Sequence, residues 1–294
     1  MGFAAGRPLA FMHIAKTSGT ALTAGLIETL RPLRPLTGFD RVMFGGFSDF
    51  GSFSDGARMT IFDDGTTLPR DADFLHGHFS HSTLTRYYPE AQFMTVLREP
   101  RVRLLSLWRY WRAQTPVTMR GWGSWARIVE RAHAPLYDYL NDADVACQTD
   151  NMAVRMLLWP DDRIPNDRFI EPRDDGMLLA AARARLAAFD FVDIVENAAL
   201  AQNLAQWLGR DFTYARLNET ESGESGTATP LHAELTDAAL TRLTHLGRLD
   251  RMLWEAEAAR LLPAGGAGLW DDVKDYADRI FVRAVAQYAR DPAR

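Results

Sequence analysis

An apolar run near the start of the chain, Leu9-Ala10-Phe11-Met12-His13-Ile14, passes directly into Ala15-Lys16-Thr17-Ser18-Gly19-Thr20 and then Ala21-Leu22-Thr23-Ala24-Gly25-Leu26-Ile27. The first run is short and almost wholly apolar, the pattern of a strand covered on both faces. In the last, Leu22, Leu26 and Leu30 recur at four-residue spacing and share one helical face. The expectation is strand, tight loop, helix. Small and hydroxylated residues at the junction leave the first backbone N–H groups of the helix open, and such a terminus binds anions. Lys16 adds a full positive charge there, in a chain with just one other lysine, Lys274.

A second junction repeats the design. Phe93-Met94-Thr95-Val96-Leu97-Arg98-Glu99-Pro100 reads as an apolar strand running into a helix, with the proline where a missing N–H costs least. Arg98 would emerge at the carboxyl end of its strand, where open α/β sheets bind ligands. Ser106 lies about two helical turns further on, and could meet Arg98 through a shared ligand such as a phosphate, which arginine grips with paired bonds. Phe189–Val195 reads as a further strand and Asn197–Leu208 as the helix after it. Strands alternating with helices imply an α/β fold, a parallel sheet with right-handed crossovers. Leu235–Leu246, Leu249–Leu262 and a last amphipathic stretch from about Trp270 to Ala289 give it a helical C-terminal part.

Between the junctions, Asp73–Phe79 carries His76-Gly77-His78 at a strand end. Two histidines separated by one residue share a strand face, so ordinary polar residues, an acid–base pair, or a metal site with His81 as third ligand all fit the pattern. No nearby cysteine or well-spaced carboxylate completes a ligand set, and no metal is assigned. Residues 39–72, rich in Gly, Ser, Asp and Phe, read as a loop-rich excursion of short strands bordering the site. Its aromatic side chains suit either a core or a binding groove. Gln148–Leu158 reads as one helix capped near Thr149 or Asp150, and Glu221–Thr229 as a loop.

A length of 294 residues suits one large α/β domain spanning 1–294, with the helices of 230–294 packed on it. A net charge of −5 argues against nucleic-acid binding through the overall field. One cysteine, Cys147, excludes an internal disulfide and a cysteine-based zinc cluster. No apolar run reaches the length of a membrane span or a secretory signal, so the chain is expected to be soluble and cytoplasmic. Its bias to arginine over lysine and to alanine suits a bacterial source.

The loop lacks both glycines of the Walker pattern G-x-x-x-x-G-K-[ST], which weighs against a kinase or ATPase. His13-Ile14-Ala15-Lys16-Thr17-Ser18-Gly19-Thr20-Ala21-Leu22 instead resembles the 5′-phosphosulfate loop of carbohydrate sulfotransferases, H-I-P-K-T-G-G-T-[ST]-L. Ala15, Ser18 and Ala21 depart from it. The run from Leu97 to Trp108 resembles that family's 3′-phosphate motif, L-R-D-P-x-x-R-x-x-S-x-[YW], with Glu99 for aspartate, and His76–Phe79 resembles its H-G-H-F run. Weaker likenesses are Asn151–Leu157 to N-[LM]-x-x-R-x-L, Phe189–Glu196 to F-D-F-V-G-x-x-E, Arg216–Thr220 to an N-x-T run, and Leu249–Trp254 to L-D-x-x-L-Y. The resemblance runs from residue 9 to about 262 and is weakest over 39–72.

It implies a P-loop NTPase-like fold of the heparan sulfate 2-O-sulfotransferase group, with 3′-phosphoadenosine 5′-phosphosulfate as sulfate source and a hydroxyl of a carbohydrate or glycoconjugate as acceptor. The cofactor-binding residues it implies are Lys16, Thr17, Ser18, Gly19, Thr20, Ala21, Arg98 and Ser106. Lys16 would stabilise the departing phosphate oxygen. His78 would be the base, supported by His76, since a neutral imidazole with a pKa near ~6.5 accepts a proton at neutral pH. Glu99 is the carboxylate next in line. Arg155 is a candidate for contact with cofactor or an acidic acceptor, with a buried ion pair as its alternative. The rival functions are a catalytically silent nucleotide- or glycan-binding module and a nucleotide kinase.

Overall fold

The computed structural model describes residues 2–63, 67–214, 231–262 and 273–290. The expectations for Arg216–Thr220 and for the loop at 221–229 lie outside the described residues.

Six strands, β1 (Leu9–Met12), β2 (Pro35–Asp40), β3 (Ile61–Phe62), β4 (Phe74–His78), β5 (Gln92–Leu97) and β6 (Phe191–Ile194), form one sheet in the order β3-β2-β4-β1-β5-β6. Every pairing is parallel. The apolar alternation of the strands feeds two layers, as a period of two requires. On one face Leu9, Phe11, Phe74, Met94 and Val96 pack against Leu22 and Leu26 of the Gly19–Leu30 helix and Leu204 of the Leu200–Leu208 helix. On the other, Ala10, Met12, Leu75, Phe93 and Leu97 join the larger core. From β1 the chain runs to one edge, returns to β4 beside it, and then crosses to β5 on β1's other flank. The strand order therefore reverses at β1, and the crevice outside its carboxyl end is where such sheets hold ligands.

Some elements differ from expectation. Pro35–Asp40 is a strand pairing with β4, although proline, glycine and aspartate are poor strand formers. Proline at its first position removes no interior ladder bond. Within the excursion, Ile61–Phe62 is a strand but Arg41–Met43 is a 3₁₀ turn, held by the Asp40 carboxylate accepting from Val42 N at 3.1 Å. The single helix expected over Gln148–Leu158 is two, Ala146–Thr149 and Met152–Leu158. Asn151 separates them in the left-handed region at φ 46°, where asparagine is tolerated best after glycine.

That break has a structural partner. Asn151 Oδ1 accepts from Leu249 N at 2.8 Å, capping the Arg248–Leu261 helix, while Asp250 of that helix accepts from Ala153 N and Val154 N, both at 3.0 Å. Each helix thus satisfies orphan N–H groups of the other. The Arg248–Leu261 helix also buries Leu253 and Trp254 completely or nearly so. The Val273–Arg290 helix packs on Pro100–Arg112 through Asp278, 2.8 Å from Arg101, and Phe281, whose ring lies 4.6 Å beneath the same guanidinium. Among the described residues no helix is long and apolar enough to cross a membrane.

Candidate active site

At the carboxyl ends of β1, β4 and β5 lies a cavity of about 1060 Å³. Its floor is the loop from Ala15 to Ser18. Lys16 and Ser18 both take the left-handed conformation, φ 69° and 63°, at a cost of about 1–2 kcal/mol each for side chains that carry a Cβ. Two bonds hold the loop. The Thr17 hydroxyl donates to Ile14 O at 2.9 Å, and Arg98 Nη1 donates to Lys16 O at 3.0 Å. The first backbone bond of the following helix runs from Leu22 N to Ser18 O at 3.1 Å. The N–H groups of Gly19, Thr20 and Ala21 precede it and carry the positive end of the helix dipole.

Lys16 lies with Nζ 4.2 Å above the Tyr110 ring. Burial, and secondarily the nearby Arg98 charge, lower its pKa to about 8. An ammonium held there beside a second cation is under-compensated, and an anion would relieve both. Arg98 and Ser106 line the same cavity from β5's end and from the Pro100–Arg112 helix. Glu99, by contrast, is completely buried. It caps that helix by accepting from Val102 N at 2.8 Å and pairs with Arg101 at 2.6 Å, so it is not available as a base. Glu196 sits behind this corner, accepting from Glu99 N at 3.0 Å and Trp254 Nε1 at 2.9 Å, with its carboxyl within the field of Arg98.

His78 lines the cavity opposite Lys16. Its Nδ1 is 2.6 Å from His13 O, and because a carbonyl can only accept, Nδ1 carries the proton and Nε2 holds the free lone pair. Burial first, and the Lys16 charge after it, push the His78 pKa down to about 4, against the bond to His13, which raises it. The ring is therefore neutral at neutral pH, and its titration lies well below the ~6.5 of a free imidazole. Gly77 between the two histidines has φ 146°, and a Cβ there would fall 2.3 Å from Gly38 O, so the turn of His78 into the cavity requires glycine.

Lys16, Ser18, Gly19, Thr20, His78, Arg98 and Ser106 thus share one cavity. Thr17 and Ala21 do not line it: both are buried, and the Thr17 hydroxyl is spent inside the loop. His76 also lies outside, stacked on Phe74 with centroids 5.0 Å apart, its pKa lowered by burial. Arg155 takes the second of its two readings. It is 2 % exposed and makes a buried ion pair with Asp150 at 2.9 Å, with further bonds to the carbonyls of Asp150, Pro165 and Arg168. No ligand can reach it. Among the described residues no group of His, Cys, Asp and Glu is arranged to hold a metal ion.

Two contributors were not among the expected site residues. His13, whose ring centroid is 4.4 Å from that of His78, directly follows β1, and the sequence marks it only as the first residue of the loop likeness. A Cβ on Gly19 would overlap it at 1.9 Å, so Gly19 serves this imidazole as well as the loop. Tyr110 is one of several aromatic residues on its helix, and no periodicity marks the one beneath Lys16. Neither a scan of protein-family models nor a search of curated proteins finds a match to the chain.

Proposed function

We propose that this cleft moves the sulfuryl group of 3′-phosphoadenosine 5′-phosphosulfate to a hydroxyl acceptor, on a P-loop-like sheet related to that of the carbohydrate sulfotransferases its motifs resemble. The observation that carries the reading is the convergence of two cations from neighbouring strand ends, Lys16 with the Gly19–Leu30 helix terminus and Arg98 with Ser106, on one cavity that also holds a neutral imidazole. A nucleotide bearing phosphate at both 5′ and 3′ positions offers one anionic group to each corner.

The chemistry needs positioning and charge stabilisation. His78 Nε2 accepts the acceptor's proton as its oxygen attacks sulfur in line. The bond from sulfur to the 5′-phosphate oxygen breaks, and the electron pair stays on that oxygen facing Lys16 and the helix N–H groups. The scheme calls on no metal ion. Arg98→Ala should weaken binding of 3′-phosphoadenosine 5′-phosphate by about 2–4 kcal/mol, since a charged hydrogen-bonded partner is lost. Adenosine 5′-monophosphate, which lacks the 3′ group, should lose only what release of the Lys16 carbonyl costs the loop. Equal losses in titration calorimetry would refute the two-corner assignment.

A further inference from the structure

The half of the cavity away from Lys16 and Arg98 is walled by Phe39, Phe44, Phe53, Trp111, Trp122 and Trp125. The wall begins at the base itself. The Phe39 ring centroid is 5.3 Å from that of His78, Phe44 follows at 6.4 Å from Phe39, Trp125 at 5.0 Å from Phe44, and Trp111 at 6.3 Å from Trp125. Among the described residues lining the cavity, the charged side chains are Lys16 and Arg98, both at the nucleotide corners, and no carboxylate is present. Uncharged polar side chains in the aromatic half are few. Thr60 and Gln114 line it, while the Gln148 amide already donates to Met43 O.

From this wall we infer that the acceptor is an uncharged, largely apolar ring compound bearing a hydroxyl, a phenol or aryl alcohol, rather than a polyanionic glycan. The inference rests on the sulfuryl-transfer reading above and narrows its acceptor. A sulfated or uronate-bearing chain needs cations along its path, and the wall supplies none. A neutral sugar would bring several hydroxyls into a pocket with few partners for them, each left unpaired at about 1–3 kcal/mol. A flat aromatic body instead packs against ring faces and edges, and one hydroxyl directed at His78 is all the polarity it must satisfy. The proton to be removed also fits: a phenol ionises near ~10, far more readily than an alkyl alcohol, and so asks less of an imidazole as weakly basic as His78. In the step, the phenolic O–H bond breaks toward Nε2, oxygen bonds to sulfur, and the nucleotide bisphosphate departs with the electron pair.

The test uses 2-naphthol as probe and the intact protein, saturated with 3′-phosphoadenosine 5′-phosphate for the binding measurement and with labelled 3′-phosphoadenosine 5′-phosphosulfate for the transfer measurement. Saturable quenching of tryptophan fluorescence by 2-naphthol is expected, together with transfer of labelled sulfate from the phosphosulfate nucleotide to 2-naphthol in preference to desulfated heparan or chondroitin chains. Gly56 lines the aromatic half, and a Cβ built on it meets nothing within 4 Å, so a side chain fits without distorting the backbone. Gly56→Leu should raise the Kd for 2-naphthol by about tenfold through obstruction while nucleotide binding is unchanged. Transfer to a polysaccharide with no binding of 2-naphthol would overturn the inference and leave sulfuryl transfer standing. Unaltered 2-naphthol binding in Gly56→Leu would also overturn it. Failure of the nucleotide itself to bind would remove the reading beneath, and the inference with it.

Discussion

Lys16 and His78 show how position rewrites chemistry that residue type only suggests. From type alone His78 should titrate near ~6.5, yet burial and the facing ammonium bring it to about 4. In the proposed mechanism its neutral form is the base, so the acid limb of the rate profile should fall as pH drops through about 4, leaving turnover flat across the range from there to neutrality. A limb centred on the free imidazole value would show that another group is the base. Lys16 runs the same logic with opposite sign. With its free-protein pKa near 8, the ammonium loses its proton as pH rises past that value, and a nucleotide bound as proposed loses a charged partner. Affinity for 3′-phosphoadenosine 5′-phosphate should therefore decline above about pH 8, with proton uptake on binding, while Lys16→Arg should bind without that decline. Calorimetry in buffers of different ionisation enthalpy reads both effects, and pH-independent affinity would contradict them.

The three strand-to-helix junctions were legible because their signals are periodic: Leu9–Met12 and Gln92–Leu97 are wholly buried strands, and the leucines of Gly19–Leu30 occupy one face. Residue order alone could not reveal β2, whose pairing with β4 overrides a weak local preference, nor the break at Asn151, whose reason lies about a hundred residues away at Leu249 and Asp250. Likenesses noted at Asn151–Leu157 and Leu249–Trp254 are in the fold one reciprocal cap. Asn151→Ala should cost about 2 kcal/mol in denaturant unfolding, because it strips a cap and leaves buried N–H groups unpaired. Arg155, legible as a charge but not as a buried one, belongs with this pair. Arg155→Ala should destabilise by about 3 kcal/mol by removing the close cation of a buried carboxylate and leaving Asp150 with Arg248 at 3.7 Å, with nucleotide affinity of the folded fraction unchanged. A stable Arg155→Ala protein with weakened nucleotide binding would reverse that assignment.

Across the molecule, the reversal of strand order at β1 turns local motifs into a site. β1 and β5, neighbours in the sheet, end in the two cationic corners, β4 on the other side of β1 ends in the imidazole, and the excursion after β2 closes the far side with aromatic rings. The sequence separations involved, from Lys16 to Arg98 and from His13 to His78, carry no pattern along the chain, so the motifs could be named from residue order while their shared cavity could not. What the assembled cleft does is decided by sulfate transfer from labelled 3′-phosphoadenosine 5′-phosphosulfate at saturating nucleotide, compared between the wild-type protein and His78→Ala. The wild type should transfer label to a hydroxyl acceptor, and His78→Ala should be slower by about 10²–10⁴-fold with nucleotide binding retained. Transfer within about threefold of wild type in His78→Ala, below the least that a general base contributes, would place the base elsewhere, and no transfer by a wild-type protein that binds the nucleotide would contradict the enzyme reading itself.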